Sequence, residues 1–324
     1  MKKLLKIFKI VIISILFCET LLAQEDYIIN QIIKDKDTID FITLSSNYNE
    51  KRPTILFIQG SRSIPIIFLN GGSKKVNLPF DYKKYLNRIN FVIINRKGTP
   101  IISEFELINK IMNNPSEEYI KNDNLIYREN QVMGVIKFLK NKDWIDKKRF
   151  YVVGHSEGYR VASKVSENNH FVKKLVCMSA DPLNRITEEI INLQIKNLQI
   201  ENDSINTQKI INNINDFKSI GNINDYKNDI ELFNWSSYEK FMPINSMLKY
   251  DNPILIVYGS NDKKAFNNYL LPFLLNKKKM ELKIYPDLDH NFFKKEFDNE
   301  GMPLEDSYHW DRVFKEVIDW LLNE

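Results

Sequence analysis

The chain has 324 residues, of which 43% are hydrophobic and 27% are charged, and its formal net charge at pH 7 is +4. This is the composition of an ordinary globular protein, and the length suffices for one large α/β domain or two small ones. So small a net charge gives no reason to expect a nucleic-acid partner.

The first 23 residues have the pattern of a secretory signal peptide. A basic stretch over residues 1–9 precedes a short apolar run over residues 10–17, and Ala23 is a small residue at the expected cleavage point. The apolar run is shorter than the roughly 20 residues that a spanning helix needs, so an uncleaved membrane anchor is only the alternative. Cys18 would suit lipoprotein cleavage, but Phe17 is bulky where such sites need a small residue. We therefore predict a secreted or periplasmic protein without stable membrane insertion after signal cleavage.

Cleavage after residue 23 changes both the charge and the cysteine count. Basic residues fall from 46 to 42 and acidic residues from 42 to 41, which leaves a formal charge of about +1. Cys177 then remains as the only cysteine, so an intramolecular disulfide is excluded. Because Cys177 lies in the apolar run of residues 175–178, we predict a buried core cysteine.

Along the chain, short apolar runs alternate with stretches of helical spacing. Strands that are apolar on both faces and separated by helices predict a mostly parallel sheet covered by helices on both sides, an α/β fold. The predicted strands cover residues 27–33, 38–44, 53–58, 90–94, 149–153, 174–178, 253–258 and 280–285. Helices are predicted over residues 127–140, 159–167 and 313–322, and in the stretch that ends at 275.

Residues 183–249 interrupt this alternation. The segment is polar and rich in asparagine, and its Ile and Leu residues recur with helical spacing. We interpret it as a helical cap inserted into a single α/β domain that covers residues 24–324. A mobile surface excursion is the alternative, given the polarity of the segment.

The most informative motif is Gly154-His155-Ser156-Glu157-Gly158, which directly follows the strand predicted over residues 149–153. A strand, a G-x-S-x-G pentapeptide and a helix in succession are typical of a nucleophile elbow. This sharp turn holds a serine hydroxyl clear of the backbone, where a base can reach it. We therefore predict that Ser156 is a nucleophile.

A serine nucleophile needs a base and a group that orients the base. Among the four histidines, His290 lies in the loop after the last predicted strand, where the Ser, Asp, His chain order of this elbow type expects the base. Asp262, just after the preceding strand, is the predicted acid. Asp287 and Asp289 are rivals, but their closeness to His290 in sequence makes orienting its ring harder.

Acyl transfer also needs N–H donors for the developing oxyanion. Glu157 should supply one backbone N–H because it follows the nucleophile. The turn Gly60-Ser61, at the end of the strand over residues 53–58, should supply the other, and Ser61 is the preferred donor.

These residues resemble the α/β-hydrolase superfamily over about residues 38–323. The combination is most similar to secreted bacterial hydrolases related to dienelactone hydrolases and prolyl-oligopeptidase catalytic domains. The resemblance implies a Ser156–Asp262–His290 triad with no metal and no cofactor. The motifs that carry it are Gln59-Gly60-Ser61, Arg96-Lys97-Gly98, Gly154-His155-Ser156-Glu157-Gly158, Trp235-Ser236-Ser237, Gly259-Ser260-Asn261-Asp262 and Asp289-His290-Asn291-Phe292.

Three positions depart from the pattern of this superfamily. Gln59 replaces the usual histidine of the oxyanion strand, Tyr159 replaces a glycine after the elbow, and Arg62 stands where a small residue is common. Arg62 and Tyr159 are therefore candidate substrate-pocket residues, together with Trp235 in the insertion.

The sequence thus predicts a secreted serine hydrolase that cleaves carboxylic esters, with a small-molecule ester or acyl compound as substrate. A peptidase or amidase with the same triad is the nearest alternative, because the triad serves both leaving groups. A non-catalytic binding protein on a hydrolase fold is an alternative of another class. No metal is expected, since the four histidines include no ligand-spaced pair.

Overall fold

The computed structural model of the chain describes residues 26–34, 37–198, 207–212, 214–215, 230–275, 277–302 and 304–323. The predicted signal peptide and residues 199–206, 213 and 216–229 of the predicted cap lie outside the described residues. Within those described, no helix is long and apolar enough to cross a membrane.

A large sheet organises the molecule. Its strands are β1 (Tyr27–Lys34), β2 (Asp37–Leu44), β3 (Arg52–Ile58), β6 (Asn90–Ile94), β8 (Ile145–His155), β9 (Lys174–Met178), β10 (Ile254–Gly259) and β11 (Met280–Tyr285). Two small sheets at the rim consist of β4 (Ile67–Asn70), β5 (Ser73–Val76) and β7 (Ile102–Glu104), and of β12 (Phe293–Lys294) and β13 (Ser307–Tyr308).

The pairing within the large sheet is mostly parallel, as predicted. Over the described part of the chain, its eight strands run in the order β1, β2, β6, β3, β8, β9, β10, β11. The hairpin of β1 and β2 is antiparallel, and β2 is also antiparallel to β6. From β6 to β11 every neighbouring pair is parallel. The carboxyl ends of these parallel strands therefore meet along one edge.

The helices are α1 (Ile108–Asn113), α2 (Glu117–Asn122), α3 (Leu125–Leu139), α4 (Glu157–Ser166), α5 (Arg185–Leu198), α6 (Ile230–Glu239), α7 (Pro243–Leu248), α8 (Leu271–Leu275) and α9 (Trp310–Leu322). Residues 207–212 are also helical. Helices α5, α6 and α7 belong to the inserted segment over residues 183–249, so its described parts are largely helical. That the segment acts as a cap stays a prediction.

Successive residues of a strand point to opposite faces of the sheet. Because the buried side chains on both faces are apolar, helices pack on both faces. Leu56 and Ile58 of β3 pack in the same core cluster as Val132 of α3. Ile55 of β3 packs instead in the cluster that contains Phe314 of α9. Each fully buried aliphatic or aromatic side chain of this kind contributes about 1.5–3 kcal/mol to folding. The two cores together hold the carboxyl edge of the sheet rigid.

Candidate active site

The predicted elbow lies between β8 and α4. Ser156 has φ 58° and ψ −122°, a backbone conformation that residues other than glycine rarely adopt. Gly158, in the first turn of α4, approaches β3 so closely that a Cβ atom there would lie 2.0 Å from the Ile58 carbonyl oxygen. Only glycine allows this approach. The turn holds the Ser156 side chain at the carboxyl edge of the sheet.

Ser156, His290 and Asp262 come together at this edge. His290 Nε2 lies 2.9 Å from Ser156 Oγ, and His290 Nδ1 lies 3.1 Å from both carboxylate oxygens of Asp262. Because an ionised carboxylate only accepts hydrogen bonds, Nδ1 carries the proton and Nε2 is left to accept from the serine hydroxyl. The Asp262 side chain is fully buried, so water does not compete with the imidazole for its carboxylate.

The two rival acids have other contacts. Asp289 accepts the backbone N–H groups of Asn291 and Phe293 at 2.8 and 2.9 Å, so it stabilises its own loop. Asp287 is exposed and has a positive φ of 62°. Within the described residues, Asp262 is thus the acid that holds the His290 ring.

His155 supports the loop that carries His290. Its Nε2 lies 3.0 Å from the His290 carbonyl oxygen, to which it donates, and its ring packs edge-on against Trp310. Burial and, to a smaller extent, His290 lower the pKa of His155 to about 4, so the ring is neutral at pH 7. The sequence did not predict this positioning contact, because the two residues are 135 apart along the chain.

The predicted oxyanion segments lie against Ser156. A Cβ atom at Gly60 would lie 3.2 Å from Ser156 Cβ, which places the Gly60-Ser61 turn beside the serine. Within the described residues, the backbone N–H groups of Ser61 and Glu157 donate to no other protein atom. Glu157 is the first residue of α4, where N–H groups lack a helical partner. Both segments therefore have an unused donor near Ser156 Oγ.

Arg96 joins these two segments. Its Nη1 donates to the Gly60 carbonyl oxygen at 2.7 Å and to Glu157 Oε1 at 2.9 Å. In a planar trans peptide the carbonyl of one residue points opposite to the N–H of the next. By fixing the Gly60 carbonyl, Arg96 therefore also fixes the direction of the Ser61 N–H. Tyr119 donates its hydroxyl to the Ser61 carbonyl and restrains the same turn from the other side.

The Arg96–Glu157 ion pair is buried, with side-chain exposures of 2% and 9%. Burial alone would raise the pKa of Glu157, but the charges of Arg96 and Arg128 outweigh burial and lower it. Glu157 is therefore ionised at neutral pH. Arg96 also pairs with Asp123, so its charge is shared between two carboxylates.

Two cavities open at Ser156. The larger, of about 440 Å³, is lined by Ser156, His290 and the Gly60-Ser61 turn, and its far walls include Pro79 and Tyr308. The smaller, of about 50 Å³, lies toward the inserted segment. Its polar walls are formed by Ser61, Ser156, Glu157, Arg160, Ala180, Arg185, Glu188, Tyr238, Lys264 and His290. Helix α5 of the insertion thus contributes to the surroundings of Ser156.

The structure places the three predicted pocket residues in different surroundings. Arg62 lines the larger cavity, and its role in substrate binding stays a prediction. Tyr159 does not: its side chain is completely buried and donates to Asn268 Oδ1 at 2.9 Å. The helical turn of α4 directs Tyr159 into the core, away from the cavity. Trp235 lines neither cavity and lies under Arg185, whose guanidinium is 5.9 Å from the ring centre. The predictions for Tyr159 and Trp235 are therefore corrected.

The sequence predicts neither a metal site nor a reactive thiol. Across the described part of the chain, no group of three or more His, Cys, Asp or Glu side chains could hold a metal ion. The predicted absence of a cofactor remains a prediction. Cys177 is buried in β9, as predicted, and burial raises its pKa to about 12.

Comparison with solved structures identifies the fold. The chain is similar to the α/β hydrolase GrgF from Penicillium sp. sh18, with a TM-score of 0.54, 14% identity, and coverage of 91% of this chain and 95% of that one. It is also similar to dipeptidyl peptidase 4 from Porphyromonas gingivalis (TM-score 0.52, 13% identity, 91% of this chain and 35% of that one). A third similar structure is 2,6-dihydroxy-pseudo-oxynicotine hydrolase (TM-score 0.50, 12% identity, 81% of this chain and 62% of that one).

The protein therefore has the α/β-hydrolase fold, as the resemblance implied. The chain spans about a third of the length of the peptidase and about three fifths of that of the oxynicotine hydrolase. No family model and no curated protein matches the sequence.

Proposed function

We propose that the protein is a serine hydrolase that cleaves carboxylic esters through a Ser156–His290–Asp262 triad. The observation that carries this proposal is the continuous chain of contacts from Asp262 through both ring nitrogens of His290 to Ser156 Oγ. Such a chain gives a weakly nucleophilic hydroxyl the base that it needs. The free N–H groups beside Ser156 and the fold of known hydrolases support the same proposal.

In the proposed reaction Ser156 Oγ attacks the ester carbonyl while His290 Nε2 takes the hydroxyl proton. The N–H groups of Ser61 and Glu157 stabilise the resulting oxyanion. His290 then donates the proton to the departing alcohol, which leaves an acyl-serine. Water, deprotonated by His290, cleaves the acyl-serine and restores the enzyme. Asp262 stabilises the imidazolium form in both halves of the reaction.

Covalent labelling tests the nucleophile. A fluorophosphonate probe should label the protein at Ser156, and Ser156→Ala should lose both labelling and hydrolysis of para-nitrophenyl butyrate. Ser163→Ala is the matched control, because Ser163 lies on the same helix but its hydroxyl donates to the Tyr159 carbonyl in the core. Labelling that persists in Ser156→Ala would reject Ser156 as the nucleophile.

A peptidase or amidase is the second candidate, because the same triad can release an amine. Its support is the similarity in fold to a dipeptidyl peptidase, of which this chain spans 35%. A chromogenic peptide amide, compared with a chromogenic ester of the same acyl group, separates the two activities. A higher kcat/KM for the amide would replace the esterase proposal.

We also propose export by the N-terminal segment. The support is the basic stretch, short apolar run and small residue at position 23 in the sequence. N-terminal sequencing of the protein from the medium or periplasm of a bacterial host should begin at Gln24. A chain that stays in the cytoplasm with an intact N-terminus would refute this.

A further inference from the structure

Cations surround Ser156 without matching acids. Arg62 lines the larger cavity, Arg185 lines the smaller one, and Lys264 lines both. Within the described residues, none of these three side chains forms an ion pair. Arg62 and Lys264 are exposed and Arg185 is half-buried, so their charged groups can meet a ligand from solvent.

Each acid of the smaller cavity forms its ion pair with an arginine other than Arg62 or Arg185. Glu188 is paired with Arg160 at 2.7 Å, and both side chains are nearly buried. Glu157 is paired with Arg96 at 2.9 Å. The larger cavity has no Asp or Glu in its described walls. Beside these pairs, the cavity walls keep the three cationic side chains of Arg62, Arg185 and Lys264. Glu188 also attracts Lys264, and the Asp262 carboxylate is held by His290.

The smaller cavity suits a compact anion. A single water molecule needs roughly 10–15 Å³ of such space, so 50 Å³ accommodates a group of a few heavy atoms, such as a carboxylate. The Arg185 guanidinium can bind a carboxylate through two parallel hydrogen bonds. Its position over the Trp235 ring restricts its motion, which lowers the entropy cost of binding.

We propose that the substrate is an anionic ester whose carboxylate lies in the smaller cavity and is bound by Arg185 and Lys264. This inference rests on the proposed function, since it assigns the charge of the substrate to the same site. The carboxylate belongs either to the acyl group or to the departing alcohol. In either position, the carboxylate offers Arg185 and Lys264 the same charge and the same hydrogen-bond acceptors.

Turnover of matched esters tests the charge preference. The acyl arm compares para-nitrophenyl hemisuccinate with para-nitrophenyl butyrate, and the alcohol arm compares para-acetoxybenzoate with its methyl ester. In at least one arm, kcat/KM should be about tenfold to a hundredfold higher for the anionic ester, the effect of one charge-assisted hydrogen bond. Added salt should reduce this preference.

Substitutions locate the subsite. Arg185→Gln and Lys264→Gln should each lower kcat/KM for the anionic ester at least tenfold more than for its neutral partner. Lys263→Gln is the matched control, because Lys263 is an exposed neighbour of Lys264 that lines neither cavity. If Lys263→Gln lowered the preference for the anionic ester equally, the preference would come from the overall surface potential. That result would overturn the proposed subsite.

A binding measurement separates this inference from the proposed function. By calorimetry, Ser156→Ala protein should bind monomethyl succinate at least tenfold more tightly than dimethyl succinate, and Arg185→Gln should abolish the difference. Equal kcat/KM in both arms, with Ser156 still labelled by fluorophosphonate, overturns the anionic substrate alone. Absence of labelling and of all turnover rejects the proposed function, and the calorimetric preference then decides whether the anion site exists.

Discussion

Arg96 is a single buried side chain that contacts both segments predicted to form the oxyanion hole. One guanidinium nitrogen donates to both the Gly60 carbonyl and the Glu157 carboxylate. A lysine has one compact ammonium group and cannot reproduce this planar, branched set of donors. The direction of the Ser61 N–H therefore depends on an arginine that touches no substrate.

We expect Arg96→Lys to lower kcat for para-nitrophenyl butyrate about tenfold to a hundredfold, with a smaller change in KM. The physical reason is misalignment of an oxyanion donor, and complete removal of one such donor costs on the order of 10²–10³ in kcat. Steady-state kinetics, with circular dichroism to verify folding, provides the measurement.

Arg128→Lys is the matched control for Arg96→Lys. Arg128 is an equally buried arginine on α3, but it donates to Gln131 and not to Gly60 or Glu157. Removing the Arg96 charge outright would leave Glu157 buried and unpaired, at a cost of about 3–5 kcal/mol. The triple variant Arg96→Met/Asp123→Asn/Glu157→Gln removes both partner carboxylates together with the guanidinium, so it avoids that cost and should still show the loss in kcat. A normal kcat in both variants would contradict the positioning role.

The nucleophile elbow pointed to Ser156, and the Ser, Asp, His chain order pointed to Asp262 and His290 after the last two predicted strands. The structure brings these three side chains together. It could not assign Arg96 its role, since the partners of Arg96 lie 36 and 61 residues away along the chain. The Tyr159 prediction rested on a departure from a family pattern. Such a departure does not tell which way a helical side chain points, and Tyr159 is directed into the core.

At the scale of elements, Glu239 connects two helices of the inserted segment. At the end of α6, its Oε2 accepts the Ile186 N–H in the first turn of α5 at 2.8 Å, and its Oε1 accepts from Asn184 at 3.2 Å. Burial raises the pKa of Glu239 to about 7, although the Ile186 N–H and Arg160 favour the charged form. The contact between these helices therefore involves an acid that titrates near neutrality.

We expect the stability of the protein to depend on pH through Glu239. A folded-state pKa above the ordinary value of 4.5 means that the folded protein binds this proton more tightly than the unfolded chain. The stabilisation is complete below about pH 4.5 and is lost as the pH rises to about 7. Glu239→Gln should remove this loss, because glutamine stays neutral and its amide oxygen can still accept from Ile186.

Urea unfolding of both proteins between about pH 4.5 and pH 8.5 measures this effect. The free energy of unfolding of the Glu239→Gln variant, relative to the original protein, should rise across the window and level off above about pH 7. The exposed Glu305→Gln serves as the control and should give parallel curves. If the free energies of unfolding of Glu239→Gln and the original protein also ran parallel against pH, Glu239 would not be the source of the pH dependence.

The strands of the large sheet were predictable because each is a short apolar run bounded by polar turns. The structure lengthens the predicted strand over residues 149–153 to β8, Ile145–His155, since cross-strand pairing extends beyond the apolar run. The strands β4 and β5 were not predicted. Their burial is mostly partial or absent, and the pattern of residues 67–76 carries no clear period. The two strands form a local hairpin, and only the pairing of β4 with β7 joins residues that are distant in sequence.

At the scale of the whole molecule, the parallel sheet lies between two cores. β9 occupies an interior position and is paired with β8 on one side and β10 on the other. Both of these pairings include Cys177, which faces Gly154 and Ile256 on the adjacent strands. No rearrangement confined to α5, α6 or α7 separates these strands.

Cys177 can therefore serve as a built-in reporter of global unfolding. A thiol reagent needs an accessible, deprotonated sulfur, and Cys177 is buried with its pKa raised to about 12. In a Cys18→Ser protein, a maleimide should leave the folded chain unmodified. As urea increases, labelling should follow the loss of helical circular dichroism with the same midpoint. If the inserted helices opened first, part of the helical circular dichroism would be lost at lower urea than the thiol labelling. Rapid modification of the folded protein would show instead that the central sheet itself opens locally.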